Sequence, residues 1–256
     1  MQRIVVGTEQ IEGSTLSLTP DQQHYLMRVL RLRGGDCFLA LDGKGGLWFA
    51  TLTPSGEQAH LTVSEDVSTN SSSSSAAASA NVIPPITLAA CLPKQGFDEV
   101  IRQVTELGVD QVVPLISDRT LLRPSPNKLQ RWRRIAAEAA EQSERLTVPK
   151  VYDPIVLPQW LTQRTEKGRY FCVARYIAPS LLSVCLGAGH KATVIAVGPE
   201  GGWTESEIET AISADYQLVT LGMGVLRAVT ASVAAVSILR SGFEFASIGP
   251  HTPRQL

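Results

Sequence analysis

Thr193-Val-Ile-Ala-Val-Gly-Pro-Glu-Gly-Gly202 and Leu221-Gly-Met-Gly-Val-Leu-Arg-Ala-Val-Thr-Ala231 decide how this chain reads. In the first stretch, the apolar run Thr193 to Val197 is too short for a helix and rich in β-branched residues, which fits a buried strand. Gly198-Pro-Glu-Gly-Gly202 then joins one restricted φ to three positions free to take φ > 0, so the backbone lies bare and can approach a ligand closely. Three glycines and a proline around one carboxylate would be a wasteful way to build a plain turn. Thr204 and Glu207 have capping-box spacing, which predicts a helix from there to about Ala214. The second stretch repeats the order: Gln217 to Leu221 as strand, Gly222 to Arg227 as loop, and the Ala- and Val-rich run from Ala228 to Leu239 as helix. Open α/β sheets bind ligands where such loops meet at the carboxyl ends of neighbouring strands, so the pair points to a small-molecule cofactor site.

Upstream, strand-like runs at Ile86 to Cys91, Gln111 to Leu115 and Tyr170 to Ala174 alternate with helical stretches, chiefly Asp98 to Leu107, stopped by Gly108, and Asn127 to Arg145. That alternation predicts an α/β fold with a mostly parallel sheet covered on both faces, and pattern alone suggests a Rossmann-like layout. The amino-terminal part differs. Short runs at Arg3 to Val6, Cys37 to Leu41, Leu47 to Leu52 and His60 to Glu65 are separated by turn signals at Asp42-Gly43, Gly45-Gly46 and Pro54, which reads as a small β-barrel. One helix interrupts it, capped by Thr19 with Pro20 first; Met27 and Leu30 should face the core and Arg28 and Arg31 the solvent. Ser68 to Ala80 is polar and small, a linker composition. The expected division is 1–67, a linker at 68–81, and 82–256.

With 256 residues, 44% hydrophobic and 18% charged, the chain can bury a sizeable core. Its longest apolar runs, near Ile86 to Leu92 and Ala231 to Leu239, fall far short of a membrane span, and Met1-Gln-Arg-Ile-Val-Val has no signal-peptide layout; a cytoplasmic chain with no membrane partner is expected. Cys37, Cys91, Cys172 and Cys185 lack metal spacing and His24, His60, His190 and His251 are dispersed, so no metal is expected. A net charge of −1 argues against a protein that coats nucleic acid, yet permits a local basic face. Candidates are Arg28, Arg31 and Arg33, then Arg119, Arg123, Lys128, Arg131, Arg133, Arg134 and Arg145. Arg134 and Glu138 stand at i,i+4, which a salt-bridged solvent face would equally explain.

Val197-Gly-Pro-Glu-Gly-Gly-Trp-Thr-Glu-Ser-Glu-Ile208, with Leu221-Gly222, Leu226-Arg227 and Thr230-Ala231, resembles the signature of the RsmE family. Those are bacterial enzymes of the SPOUT class that methylate N3 of a uridine in 16S ribosomal RNA with S-adenosylmethionine. Leu92-Pro93-Lys94, Glu106-Leu-Gly-Val109, Pro114, Ser117 with Arg119, Glu138-Ala-Ala-Glu-Gln-Ser-Glu-Arg145 and Val148-Pro149 agree, and His24-Tyr-Leu-Met-Arg-Val-Leu-Arg31 with Gly35-Asp36 is similar to the family's small RNA-binding domain. Val229 stands where the family usually has glutamate, and Gln103 where it usually has lysine. The resemblance implies a PUA-like β-barrel followed by a SPOUT methyltransferase domain whose carboxyl-terminal segment forms a trefoil knot, a rare exception to unknotted topology. It also implies a homodimer, with 16S rRNA or the small ribosomal subunit as partner.

S-adenosylmethionine carries its own electrophile, so the protein must bind it, aim it and help uridine N3 lose a proton; no metal is needed. Under the resemblance, Gly198, Pro199, Glu200, Gly201, Gly202, Leu221, Gly222, Val225, Leu226 and Ala231 bind the cofactor. Arg227 is the expected stabiliser of charge on the uracil oxygens. Glu200 is either a general base, a cofactor contact, or simply a carboxylate that satisfies helix N–H groups. Arg28, Arg31, Lys94, Arg119 and Arg145 are the expected RNA contacts. The Ala231 to Leu239 helix could be a dimer surface or internal core. Two other functions stay open: a dinucleotide-dependent oxidoreductase, because Gly222-Met-Gly224 follows a strand and Glu244 sits near the acidic-residue spacing of that fingerprint, and a non-catalytic RNA-binding protein, which Val229 favours.

Overall fold

A computed structural model of the chain describes residues 1–63, 83–187, 189 and 191–248. It divides into two compact units, Met1–Ser75 with Ala137–Val148, and Ala76–Ala136 with Pro149–Leu256. The segment 68–81, expected as a linker, lies outside the described residues.

In the first unit β1 (Arg3–Val5), β2 (Ile11–Glu12), β3 (Thr15–Ser17), β4 (Cys37–Leu41), β5 (Leu47–Leu52) and β6 (Gln58–Val63) form one sheet, ordered β1-β4-β5-β6-β3-β2. All pairs are antiparallel except β1 with β4. The sequence reading misses β2 and β3, which are too short to show an alternating pattern. Instead of a fully hydrogen-bonded barrel, the described strands form a sheet whose two end strands, β1 and β2, have no ladder between them, and glutamines link their neighbourhoods. Gln10 Oε1 accepts from the Gly7 N–H at 2.8 Å, Gln10 Nε2 donates to Gln22 Oε1 at 2.8 Å, and Gln22 Nε2 donates to Val5 O at 3.0 Å. Thr19 caps α1 (Pro20–His24), its Oγ1 accepting from the Gln22 N–H at 3.3 Å. The helix then widens into a π turn over Tyr25–Val29, closed by the Leu30 N–H donating to Tyr25 O at 2.9 Å. Leu26 is thereby buried with Phe38 and Leu52, Met27 and Leu30 pack against that cluster, and Arg28 and Arg31 are exposed.

The sequence gives no hint that 137–148 completes this unit. Lys44 and Thr147 form a β-bridge, the Val148 N–H donates to Gly43 O at 2.9 Å, and Arg3 pairs with Glu144 at 2.9 Å. Glu141 accepts a hydrogen bond from the Val5 N–H. Burial is the main force lifting its carboxyl from 4.5 to about 7, reinforced by Glu138 and opposed by the Val5 bond. A carboxyl whose folded pKa is raised holds a proton that the unfolded chain has lost, so its contribution is complete below the unfolded pKa and disappears as pH rises through the folded one. Glu141→Gln should therefore melt above the wild type at about pH 8 and alongside it at about pH 4, as thermal scans at the two pH values would show.

The second unit runs β7 (Ile86–Cys91), α2 (Phe97–Glu106), β8 (Gln111–Ile116), α3 (Pro126–Gln142, whose last turns belong to the first unit), β9 (Lys150–Val151), β10 (Ile155–Val156), α4 (Leu157–Thr162), β11 (Gly168–Cys172), α5 (Leu181–Gly187), β12 (Thr193–Val197), α6 (Glu205–Ser213), β13 (Gln217–Val219) and α7 (Ala228–Ile248). Every strand pair is parallel, as the alternation of strands and helices predicts. All residues of β7 and β12 are buried, which is why they read as unbroken apolar runs. Gly108 ends α2 as foreseen: it takes φ 88°, its N–H donates to Thr105 O at 2.9 Å, and the Val109 N–H donates to Val104 O at 2.9 Å. By contrast, α3 stops short of the expected Arg145, because Glu144 at φ 59° turns the chain out of the helix.

The strand order is β10-β8-β7-β12-β11-β13, with β9 also on β8. This corrects the Rossmann-like layout: β11 precedes β12 in sequence yet lies outside it, between β12 and β13. α7 extends well beyond the apolar run Ala231 to Leu239 and is long and apolar enough, by length and composition, to cross a membrane. Its Ala235, Val236, Leu239 and Phe243 are buried, and the helix packs on α2, α5, β7 and β12, so that apolar face is core.

Candidate functional site

β12, β11 and β13 pair in register so that Val197, Cys172 and Val219 end their strands in one row. Three loops leave that row together. The first, from Gly198, is anchored by Trp203, whose buried indole stacks on Phe171 with centroids 4.3 Å apart and whose Nε1 donates to Cys172 O at 2.8 Å. A Cβ at Gly198 would lie 2.9 Å from Trp203 Cε2, so close packing against the indole requires glycine there. Gly202 takes φ 71°, a conformation that side chains disfavour. Thr204 caps α6 as its spacing predicts, with the Thr204 N–H donating to Glu207 Oε2 at 2.7 Å and the Glu207 N–H donating to Thr204 Oγ1 at 3.3 Å.

The second loop starts at Thr220, whose N–H donates to Pro179 O at 2.9 Å. Among the described residues, no backbone N–H from Leu221 to Leu226 donates to another protein group, so all six are available to a ligand or solvent. The third loop, Val173 to Pro179, was not singled out from sequence. Its Val173 N–H donates to Val219 O at 2.9 Å and its Tyr176 hydroxyl to Glu205 Oε1 at 3.3 Å. A strand in a parallel sheet followed by a long connection was visible, but its relevance depended on β11 lying between the other two strands.

These loops surround a cavity of about 960 Å³, near the upper end of the roughly 300–1,000 Å³ usual for small-molecule sites. All ten residues expected to bind a cofactor line it, from Gly198 to Gly202 and at Leu221, Gly222, Val225, Leu226 and Ala231; so does Arg227. Glu200 and Arg227 are both exposed on its wall, and the Arg227 guanidinium has no hydrogen-bond or ion-pair partner among the described residues. Ile177 and Met223 are fully exposed on the lining, giving the opening an apolar rim. Cys172 also lines the cavity, but burial pushes its thiol up to about 12, so it is no thiolate nucleophile near neutrality.

The five residues expected to touch RNA divide between the two units. Arg28, Arg31 and Arg145 belong to the first unit; Lys94 is exposed after β7, outside the cavity lining. Arg119 lines the cavity, and its Nη1 donates to Gly201 O at 2.7 Å and Trp203 O at 3.3 Å. Val229 sits outside the lining, its Cγ2 3.1 Å from where a Gly96 Cβ would be, and Gln103 is exposed on α2. Glu244 lies on α7 itself, not at the end of a following strand, which removes the geometric basis of the dinucleotide fingerprint.

Residues 81–240 match the RNA methyltransferase domain family and residues 18–64 the RNA methyltransferase PUA domain family. The chain is 45% identical to the ribosomal RNA small subunit methyltransferase E of Synechocystis sp. over 249 residues, covering 94% of this chain and 78% of the relative. It is 30% identical to the protein of the same name from Bacillus subtilis over 256 residues, covering 93% and 96%. The crystal structure of ribosomal RNA small subunit methyltransferase E from Neisseria gonorrhoeae bound to S-adenosyl methionine superposes with a TM-score of 0.76 at 31% identity, covering 94% of this chain and 97% of that one.

Proposed function

From the premise that this chain belongs to the ribosomal RNA small subunit methyltransferase E family and is an S-adenosylmethionine-dependent rRNA methyltransferase, we propose that it methylates N3 of a uridine in 16S ribosomal RNA, with the cofactor seated among the three loops. The observation that carries this reading is the meeting of both glycine-rich turns on one cavity at the carboxyl edge of neighbouring parallel strands.

The residues present fit such a cofactor: six available N–H groups from Leu221 to Leu226 stand beside the apolar side chains of Leu221, Val225 and Leu226. Once bound, S-adenosylmethionine supplies a methyl group on a positively charged sulfur. The two glycine-rich loops would hold its polar groups, and Leu221, Val225, Leu226 and Ala231 would supply the apolar wall. Arg227, a delocalised cation without a described protein partner, stabilises the negative charge that grows on the uracil oxygens as N3 is deprotonated. That stabilisation makes N3 acidic enough for Glu200, the exposed carboxylate on the same wall, to accept the proton.

The PUA-like RNA-binding domain is drawn from residues 1–67, which 137–148 complete in the first unit, and the SPOUT methyltransferase domain from the rest of 82–256, with 68–81 as the linker. Arg28, Arg31, Lys94 and Arg145 contact RNA, on a free 16S strand or the small subunit. The carboxyl-terminal segment forms a trefoil knot, a reading supported by its return from edge strand β13 to pack α7 on β12 and β7. The protein works as a homodimer in the cytoplasm. Comparison of 16S rRNA from cells with and without the gene tests the reaction: one uridine should lose its N3 methyl group. Calorimetry with S-adenosylhomocysteine and with NAD tests the cofactor, and tight NAD binding with no response to S-adenosylhomocysteine would discard the reading.

A further inference from the structure

We propose that Arg119 is a positioning residue for the cofactor loop, acting through its hydrogen bonds to the Gly201 and Trp203 carbonyls, rather than an RNA contact. The inference rests on the reading that the cavity holds S-adenosylmethionine.

The turn that carries Arg119 has its own internal order. The Ser117 N–H donates to Thr120 Oγ1 at 3.0 Å, the Ser117 and Thr120 hydroxyls are 2.8 Å apart, and the Thr120 N–H donates to Ser117 O at 3.0 Å. Two side chains then lock this turn and the Gly198–Thr204 loop together from opposite directions. From the turn, Arg119 reaches over to Gly201 O and Trp203 O. From the far side of the loop, buried Glu207 reaches back: its Oε1 accepts from the Asp118 N–H at 2.9 Å while its Oε2 accepts from the Thr204 N–H. One carboxylate and one guanidinium, on consecutive sides of the same junction, therefore tie residue 118 to 204 and residue 119 to 201 and 203.

This geometry has a consequence for ligand binding. A glycine-rich loop is costly to order, because glycine loses more conformational freedom than other residues when it is held in place. Gly198, Gly201 and Gly202 would make a loop with many conformations if nothing restrained their carbonyls. With Gly201 O and Trp203 O held by a charged donor, the loop is already set before a ligand arrives, and the ordering cost is not subtracted from affinity. The contact is close: a Cβ on Gly201 would stand 3.3 Å from Arg119 Cδ, so a side chain there would crowd the arginine stem. Arg119 is exposed, but its Nη1 already serves two carbonyls of the loop, which is a poor disposition for a phosphate contact.

The test is calorimetric titration of full-length protein with S-adenosylhomocysteine, for the wild type, Arg119→Ala, Arg119→Lys and Gly198→Val, with gel-shift titration of 16S rRNA in parallel. Arg119→Ala should weaken S-adenosylhomocysteine by roughly tenfold, the size expected for losing charged hydrogen bonds. Arg119→Lys, which can keep one of the two contacts, should recover part of that loss. The KM for S-adenosylmethionine should rise in Arg119→Ala while turnover at saturating cofactor and affinity for 16S rRNA stay near the wild type. Unchanged S-adenosylhomocysteine affinity in Arg119→Ala would overturn the proposal, as would a loss of RNA affinity as large as the loss of cofactor affinity. If Gly198→Val weakens S-adenosylhomocysteine and Arg119→Ala does not, only the role of Arg119 falls; if neither variant affects a ligand that the wild type binds, the cavity is not the cofactor site. Should Arg119→Ala fail to fold, the Arg119→Lys titration decides: affinity equal to the wild type overturns the proposal.

Discussion

Arg227→Ala is expected to lower turnover by about 10²–10³-fold, the usual effect of removing one preorganised electrostatic group from a transition state, while S-adenosylhomocysteine affinity changes little. The split follows from what Arg227 touches. Its backbone O accepts from the Ala231 N–H at 2.8 Å, which any residue at this position can do, so the start of α7 keeps that bond in the variant. The side chain is exposed on the cavity wall and unengaged by described residues, so its loss removes charge from the reacting region without dismantling the loop. Single-turnover methyl transfer to 16S rRNA, measured at saturating cofactor, reads the effect directly. Turnover equal to the wild type would remove Arg227 from the chemistry.

Gly198→Val is expected to weaken S-adenosylhomocysteine by more than about tenfold and to cost the fold roughly 1–3 kcal/mol, the common penalty for overpacking. Even a Cβ at this position would approach Trp203 Cε2 to 2.9 Å and Nε1 to 3.0 Å. The indole cannot retreat freely, since it is stacked on Phe171, and Phe171 in turn meets Tyr216 edge-on at 6.3 Å. Relief would have to come from the loop or from the bond between Trp203 Nε1 and Cys172 O, and both shape the cavity. Thermal unfolding and calorimetry on the same preparation check the two effects together. A variant that binds like the wild type would show that the Gly198 backbone is not part of the ligand contact.

Local signals carried much of the architecture. Thr204 with Glu207, Thr19 with Pro20, and Gly108 after a helical run each satisfy backbone groups within a few residues, so their outcomes were readable from the chain itself. Burial on both faces of β7 and β12 left the same mark in composition. Misses occurred where the deciding partner is remote in sequence. Residues 137–148 complete the first unit through Gly43, Lys44 and Arg3, and no periodicity in a helix reports which strand will meet its end. The hydrogen bonds of Arg119 could not be read from the chain either, because its acceptors, the Gly201 and Trp203 carbonyls, lie more than eighty positions further along.

By itself the sequence determined the parallel α/β character of the second unit, both glycine-rich turns, and the residues that those turns present. Hydrophobic pattern, capping and glycine spacing act over a few residues, so a linear reading captures them. Only the tertiary structure decided that β11 would lie between β12 and β13, and with it the entry of Val173 to Pro179 into the cavity and the support of Trp203 by Cys172 and Phe171. Strand order is settled by how whole faces pack against one another, and that long-range competition leaves no period in the chain.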